Sequence, residues 1–243
     1  MTAPELLDRV LAHAGGAARW AALERIRVRV RISGIAFRAA GKAREAAEQD
    51  LVVAVREPRV EICSRSVPGW RARFEDGAAL LLDTDGAVRE RREDAIGVRR
   101  LPWPGRWDDR DAAAFTGYAS WHYLTFPVRL RDPGVQVEAL GERTIEGELL
   151  HGLRVTFAPG TPAHSREQQL WFTADGALRR NDYLARMVAP WAHAANVVER
   201  EGSVDGVTLP DRRRVTPQLP GRRRAPGPLL VGIAFDLQAA EPR

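Results

Sequence analysis

The clearest signal in the chain is alternation of apolar and charged positions. Ile26, Val28, Val30 and Ile32 alternate with Arg25, Arg27, Arg29 and Arg31. Period two predicts a strand with one apolar face and one solvated, charged face. Shorter runs follow at 50–56, 59–65, 70–75, 78–83 and 87–92. They are divided by Glu57-Pro58, Pro68-Gly69, Asp76-Gly77 and Asp85-Gly86. Strands about eight to twelve residues apart, joined by tight turns, predict antiparallel neighbours. A second series falls at 135–140, 150–158, 165–173, 177–184, 196–204, 207–216 and 229–237, with Asp175-Gly176 and Asp205-Gly206 as hairpin turns. Residues 219–228, rich in Pro and Arg, are expected to form a long exposed hairpin loop. Helices do not alternate with the strands, which argues against a parallel α/β sheet.

Two stretches have helical spacing. Residues 4–13 place Leu6, Leu7, Val10 and Leu11 on one face, with Pro4 in the first turn and Gly15-Gly16 as the stop. Residues 115–130, FTGYASWHYLTFPVRL, form the densest aromatic run. Phe115, Tyr118, Ala119 and His122 fall at i, i+3, i+4 and i+7, and Trp121 and Leu124 widen that stripe. Asp108 or Asp109 is the expected N-cap. Pro127 is expected to end the helix, because the residue before proline avoids α geometry. Between the two strand series, Pro102 and Pro104 preclude a regular helix over 93–107, and Trp103 and Trp107 are expected to anchor that connection.

These elements predict a mostly β (α+β) fold. It is a single curved antiparallel sheet, or incomplete β-barrel, with an N-terminal helix and an amphipathic central helix plugging the concave face. Neither an internal repeat nor a linker divides the chain, so one domain over 1–243 is expected. Function is then sought between helix and sheet.

Composition narrows the classes. The chain has 243 residues and one cysteine, Cys63. An intrachain disulfide and a cysteine-rich metal site are therefore excluded. Cys63 sits at an alternating apolar position and is expected to be a small buried residue. The net charge is +5, but almost every base is Arg, with Lys42 the lone lysine, and acids are interspersed. Only residues 212–224 form a local basic cluster, and no nucleic-acid partner is expected. No run approaches the ~20 apolar residues of a membrane span, so stable membrane insertion is not expected. The first 16 residues carry early acids and no long apolar run. They do not match a secretory signal, and a cytoplasmic setting is expected.

Polar residues set among apolar ones are the candidates for chemistry. His122, beside Tyr118 on the aromatic stripe, enters the cavity if that stripe faces the sheet, and histidine exchanges protons near neutral pH. His164 opens the run HSREQQLWF. There Gln168 shares a face with Leu170 and Phe172, while Glu167 and Gln169 share the other with Trp171. Periodicity does not say which face is inward. On the next run Arg180 and Asp182 share one face, and Asn181 and Tyr183 the other. An Asp can orient an imidazole, which makes His122, Tyr118, His164 and Asp182 the acid–base candidates. Phe115, Trp121, Tyr123, Phe126, Gln168, Arg180 and Tyr183 are the ligand-binding candidates. His151 and His193 are expected to be exposed loop residues. No HExxH, no His-x-His pair, no phosphate-binding glycine loop and no GxSxG elbow is present, so neither a metal nor a cofactor is expected.

The order of elements resembles the half-barrel of the LolA-like lipoprotein-carrier family. The resemblance runs through FTGYASWHYLTFPVRLRDPGV, LRVTF, HSREQQLWFTADGALRRNDY and VDGVTLPDRRRVTP. The hairpin WFTADGALRRNDY is similar to that family's aromatic-aromatic-Asp-x-x-Gly-x-Leu strand pair. The resemblance covers most of the chain and rests on structural motifs, so it implies a fold and an apolar concavity rather than a reaction. Three readings stand at this point. The first is a binding protein for a hydrophobic small molecule or lipid. The second is a cofactor-independent cyclase or isomerase using the same cavity. The third is a protein-interaction module using a sheet edge or residues 212–224. Ligand identity and oligomeric state are not legible.

Overall fold

A computed structural model describes residues 1–94, 107–185, 192–218 and 229–243. The N-terminal helix α1 (Ala3–His13) is closed by a capping box between Thr2 and Glu5. It is followed by a short helix α2 (Ala17–Ala22) and the alternating strand β1 (Leu23–Ser33). The Gly/Ala-rich gap after β1 folds into two single-turn helices, α3 (Ile35–Ala39) and α4 (Ala43–Ala47). A meander then runs through β2 (Glu48–Ala54), β3 (Arg59–Ser64), β4 (Arg71–Glu75), β5 (Ala78–Leu82) and β6 (Val88–Arg92). The central helix α5 (Asp109–Arg129) leads to the second meander. Its strands are β7 (Gln136–Ile145), β8 (Glu148–Thr156), β9 (Glu167–Phe172), β10 (Leu178–Leu184), β11 (His193–Val204), β12 (Val207–Pro217) and β13 (Val231–Pro242).

All 13 strands belong to one sheet, in the order β6-β5-β4-β3-β2-β1-β13-β12-β11-β10-β9-β8-β7. Each described pairing is antiparallel. Each meander is local, and the two are joined where β1 pairs with β13, from Leu23 opposite Pro242 to Ser33 opposite Gly232. The edges are β6 and β7, the strands that flank α5 in sequence, and among the described residues they do not pair. The sheet is an open half-barrel, and α5 lies against it.

The expected alternation decides which face is inward. In β1, Ile26, Val28 and Val30 are buried, while the arginines between them lie outside. Arg29 meets Asp50 at 2.9 Å and Arg27 meets Glu241 at 2.5 Å. The arginine stripe is thus a paired, solvated outer face. Asp108 caps α5: its carboxylate accepts from the Asp111 amide at 2.9 Å, and its own amide donates to the Asp111 carboxylate at 3.1 Å.

Four expectations change. First, α5 is not amphipathic. Apart from half-buried Phe115, every residue from Asp111 to Pro127 is buried, so the helix runs through the core. It approaches the sheet closely at Gly117, where an added Cβ would fall 2.1 Å from the Cβ of Phe74. Second, α5 continues through Pro127 to Arg129. The proline lies in the final turn, where its missing N–H removes only one helical bond and the chain leaves the helix two residues later. Third, Cys63 is half-buried. The inward positions of β3 are Val60 and Ile62, so register puts Cys63 on the outer face with Glu61. Fourth, His151 and His193 lie in strands rather than loops. His151 is half-buried in β8, 3.6 Å from Glu142, and His193 opens β11. The expected loop at 219–228 and the anchor Trp103 lie outside the described residues. Trp107 is buried and stacks its ring edge against Phe37, 5.4 Å away.

Candidate functional site

The second meander supplies the wall. Register sets Leu153 opposite Leu170, Leu170 opposite Asn181, and Asn181 opposite Asn196. Asn196 faces Val215, and Arg213 faces both Val198 and Ile233. Alternation along each strand then gives an inward row of Gln168, Leu170, Asn181, Tyr183, Ala194, Asn196, Arg213 and Val215. The inward face of β9 is therefore the one that carries Gln168 and Leu170. Gln169 and Trp171 are on the opposite face, and so are Arg180 and Asp182. The last two are buried there as an ion pair at 2.6 Å.

Between this wall and α5 lies a cavity of about 320 Å³. Its sides include Phe115 and Tyr123 from α5, His164, Tyr183 from β10, Val215 from β12, and Val231 and Ile233 from β13. Exposed His193 and half-buried Gln218 mark the rim. The lining is mainly apolar, and at its inner, buried end Tyr123, His164 and Tyr183 contribute polar groups, an arrangement typical of small-molecule sites of ~300–1,000 Å³.

At that inner end four side chains are linked in series. The Tyr118 hydroxyl lies 2.8 Å from His164 Nδ1, and the Tyr123 hydroxyl lies 2.5 Å from His164 Nε2. The Tyr123 hydroxyl is also 3.2 Å from that of Tyr183. His164 stacks on Tyr183, with ring centroids 4.3 Å apart and planes 6° from parallel. Burial drives the His164 imidazole well below its ordinary pKa, and the positive charge of Arg213 and repulsion from any protonated His122 push the same way. His164 is therefore neutral at pH 7. One ring nitrogen donates and the other accepts, so one tyrosine of the Tyr118/Tyr123 pair is a donor and the other an acceptor. Burial raises the Tyr118 and Tyr183 hydroxyls well above the usual phenol range. The series can relay a proton but holds no standing charge.

His122 belongs to a second buried group. Gln168 Oε1 accepts from Asn181 Nδ2 at 2.7 Å and lies 3.3 Å from His122 Nε2, while Gln168 Nε2 donates to the Ser165 carbonyl at 3.2 Å. The carbonyl oxygen of Gln168 can only accept, so Nε2 of His122 carries the proton and Nδ1 a lone pair. That lone pair has no partner among the described residues. Burial holds the His122 pKa at about 4, outweighing the Gln168 hydrogen bond.

Arg213 was read from sequence only as part of a basic cluster. It is 2 % exposed. Its guanidinium carbon lies over the Tyr123 ring, 4.6 Å from the centroid. Nε, Nη1 and Nη2 have no hydrogen-bond acceptor among the described residues. Burial lowers its pKa to about 10, so it stays cationic at neutral pH. The signal was available: Leu209, Asp211, Arg213 and Val215 share one face of an alternating strand.

The sequence candidates thus separate. Phe115, Tyr123, His164 and Tyr183 line the cavity. Tyr118 is buried behind them, bonded to His164, and His122 and Gln168 pair with each other off the lining. Trp121 instead donates to the Ala54 carbonyl at 3.1 Å and lies under Arg129, away from the cavity. Phe126 is buried but is not among the cavity-lining residues. Arg180 and Asp182 are outside the cavity. Of the described part of the basic cluster, Arg214 pairs with Glu199 at 2.7 Å and Arg213 is internal. Among the described residues no group of three or more His, Cys, Asp or Glu is placed to hold a metal, and no helix is long and apolar enough to cross a membrane.

Neither a protein-family model nor a curated protein matches the sequence. Solved structures do match the architecture. A LolA superfamily protein from Nitrosomonas europaea aligns over 99 % of this chain and 94 % of its own, at 11 % identity and a TM-score of 0.53. This chain has a LolA-like fold. A DUF1329 family protein from Desulfovibrio piger aligns over 96 % of this chain and 90 % of its own, at 14 % identity and a TM-score of 0.43. The Mycobacterium tuberculosis lipoprotein LppX aligns over 96 % and 94 %, at 11 % identity and a TM-score of 0.26. The LolA-like half-barrel accounts for the open sheet and the helix against it.

Proposed function

We propose that the protein binds a hydrophobic small molecule or lipid between α5 and the concave face of the sheet. The observation that carries this reading is the mainly apolar cavity of about 320 Å³ beside Phe115, Tyr123 and Tyr183. Apolar walls favour a greasy guest by removing its surface from water, at about 25 cal/mol per Å² before ordering costs. A cytoplasmic setting belongs to the same proposal and is testable by cell fractionation. Native mass spectrometry of the purified protein tests the binding. The expected result is a stoichiometric mass excess that organic solvent releases as an apolar compound. Protein that carries no such excess and binds no apolar probe would count against the reading.

A second reading is favoured by the series Tyr118–His164–Tyr123–Tyr183. Neutral imidazole between two phenols is suited to general acid–base catalysis. A cofactor-independent cyclase or isomerase would fold an apolar substrate in the cavity and shift a proton along this series. The two readings differ in what Tyr118→Phe does. Its ring stays while the bond to His164 is lost, so an enzyme loses turnover with affinity largely kept, whereas a carrier shows no turnover to lose.

A further inference from the structure

The binding reading leaves one charge unexplained. Arg213 sits in β12 between Val198 of β11 and Ile233 of β13, on the same face as the cavity-lining Val215. It is almost wholly buried, and none of its guanidinium nitrogens meets an acceptor among the described residues. The surrounding groups do not neutralise it. His122 and His164 are neutral, and the Tyr123 and Tyr183 hydroxyls stay protonated far above pH 7. Glu201 acts on Arg213 only through space, and is itself held by His13 at 3.2 Å and Arg179 at 3.6 Å. Asp211, two residues away, is clasped by Arg200 at 2.9 and 2.6 Å. Among the described residues, Arg213 thus lies over the ring of the cavity-lining Tyr123, not on the lining itself, as a positive charge without an ion-pair partner in surroundings of low polarity, where fields reach far.

An isolated buried charge is costly, and removing the partner of a buried pair leaves just such a state. We propose that the missing partner is the ligand: an amphiphile with an apolar tail and a monoanionic head, a carboxylate above all, held in the field of Arg213 beside the Tyr123 and Tyr183 hydroxyls. This rests on the binding reading above and deepens it. Tyr123 connects the two parts of the site. Its ring carries the cation, its hydroxyl lies 3.2 Å from that of Tyr183, and both residues line the cavity. A monoanion matches a single positive charge. A dianionic phosphate would exchange one buried imbalance for another.

The test is equilibrium binding of dodecanoate, dodecanol and dodecyltrimethylammonium to the full chain at pH 7.5, each below its micelle concentration. Dodecanoate is expected to bind at least tenfold tighter than dodecanol, and the ammonium compound more weakly than either. In Arg213→Met the dodecanoate and dodecanol affinities are expected to converge. Should that variant fail to fold, Arg213→Lys keeps the charge and is expected to keep the order. Equal wild-type affinities for dodecanoate and dodecanol, or a preference unchanged in Arg213→Met, would overturn the anion assignment and leave the cavity reading standing. If none of the three binds, both the assignment and the cavity reading fail for this ligand size.

Discussion

Arg213→Met should make the empty protein more stable, which is unusual for a core substitution. In the folded chain burial lowers the guanidinium pKa from its ordinary, more basic value to about 10. At ~1.4 kcal/mol per tenfold change in the protonation equilibrium, keeping this cation inside costs the folded state about 3 kcal/mol. The contact with Tyr123 offsets part of that, by ~1–2 kcal/mol for a desolvated cation over a ring. Met fills a similar elongated space without a charge, so a net gain of ~1–2 kcal/mol is expected, or about 2–8 °C in Tm for a chain of this size. Because the pKa of this base is lower when folded, its penalty is full below about pH 10 and is relieved as pH rises from there toward the ordinary guanidinium value. Urea unfolding at pH 7.5 with an unchanged m-value measures the gain. A variant less stable than wild type by 1 kcal/mol or more would refute the reasoning, since it would mean that Arg213 is compensated within the protein.

Three further outcomes follow from the same geometry. His122, held at about 4 when folded against 6.5 otherwise, contributes stability that is complete above pH 6.5 and is lost as pH falls toward 4, by about 3 kcal/mol. His122→Leu should therefore gain on wild type across that window in urea titrations at stepped pH, and parallel curves would exclude the assignment. Gly117→Ala, whose Cβ would meet the Cβ of Phe74 at 2.1 Å, should cost about 1–3 kcal/mol or more by forcing α5 off the sheet, and wild-type stability would contradict that contact. Tyr123→Phe removes the hydroxyl shared by His164 and Tyr183. Leaving those buried groups unpaired should cost ~1–3 kcal/mol by chemical denaturation, and a neutral result would mean that they find other partners.

The fold was largely legible because its sheet obeys period two. The alternation of β1, the Asp-Gly turns and the absence of interleaved helices led directly to antiparallel meanders. The join between the meanders was not legible. Pairing of β1 with β13 is a contact between the two ends of the chain, and neither strand's own pattern names its partner. The central helix was placed correctly but given the wrong character. Its Ala, Gly, Ser and Thr positions look neutral in a hydropathy pattern, yet their small volume is what lets α5 enter the core. Pro127 was given too much weight because the bias of the residue before a proline away from α geometry is a preference, and Phe126, packed in the core, stays helical. His122, His164, Tyr118, Tyr123 and Tyr183 stood out as candidates because they are polar groups inside apolar runs, and all five are buried. Arg213 was missed because neighbouring arginines made it look like surface charge. Arg212 and Arg214 do face outward, and only the strand's alternation separates the middle one from them.

The space between α5 and the sheet is expected to receive an apolar guest. The most direct measurement is binding of uncharged dodecanol to wild type and to Ala185→Trp, which puts an indole at the half-buried edge of the cavity. One dodecanol per wild-type chain is expected, with at least a tenfold loss of affinity in the variant and wild-type unfolding behaviour. Dodecanol binding that is absent in wild type, or unchanged in a folded Ala185→Trp, would contradict it.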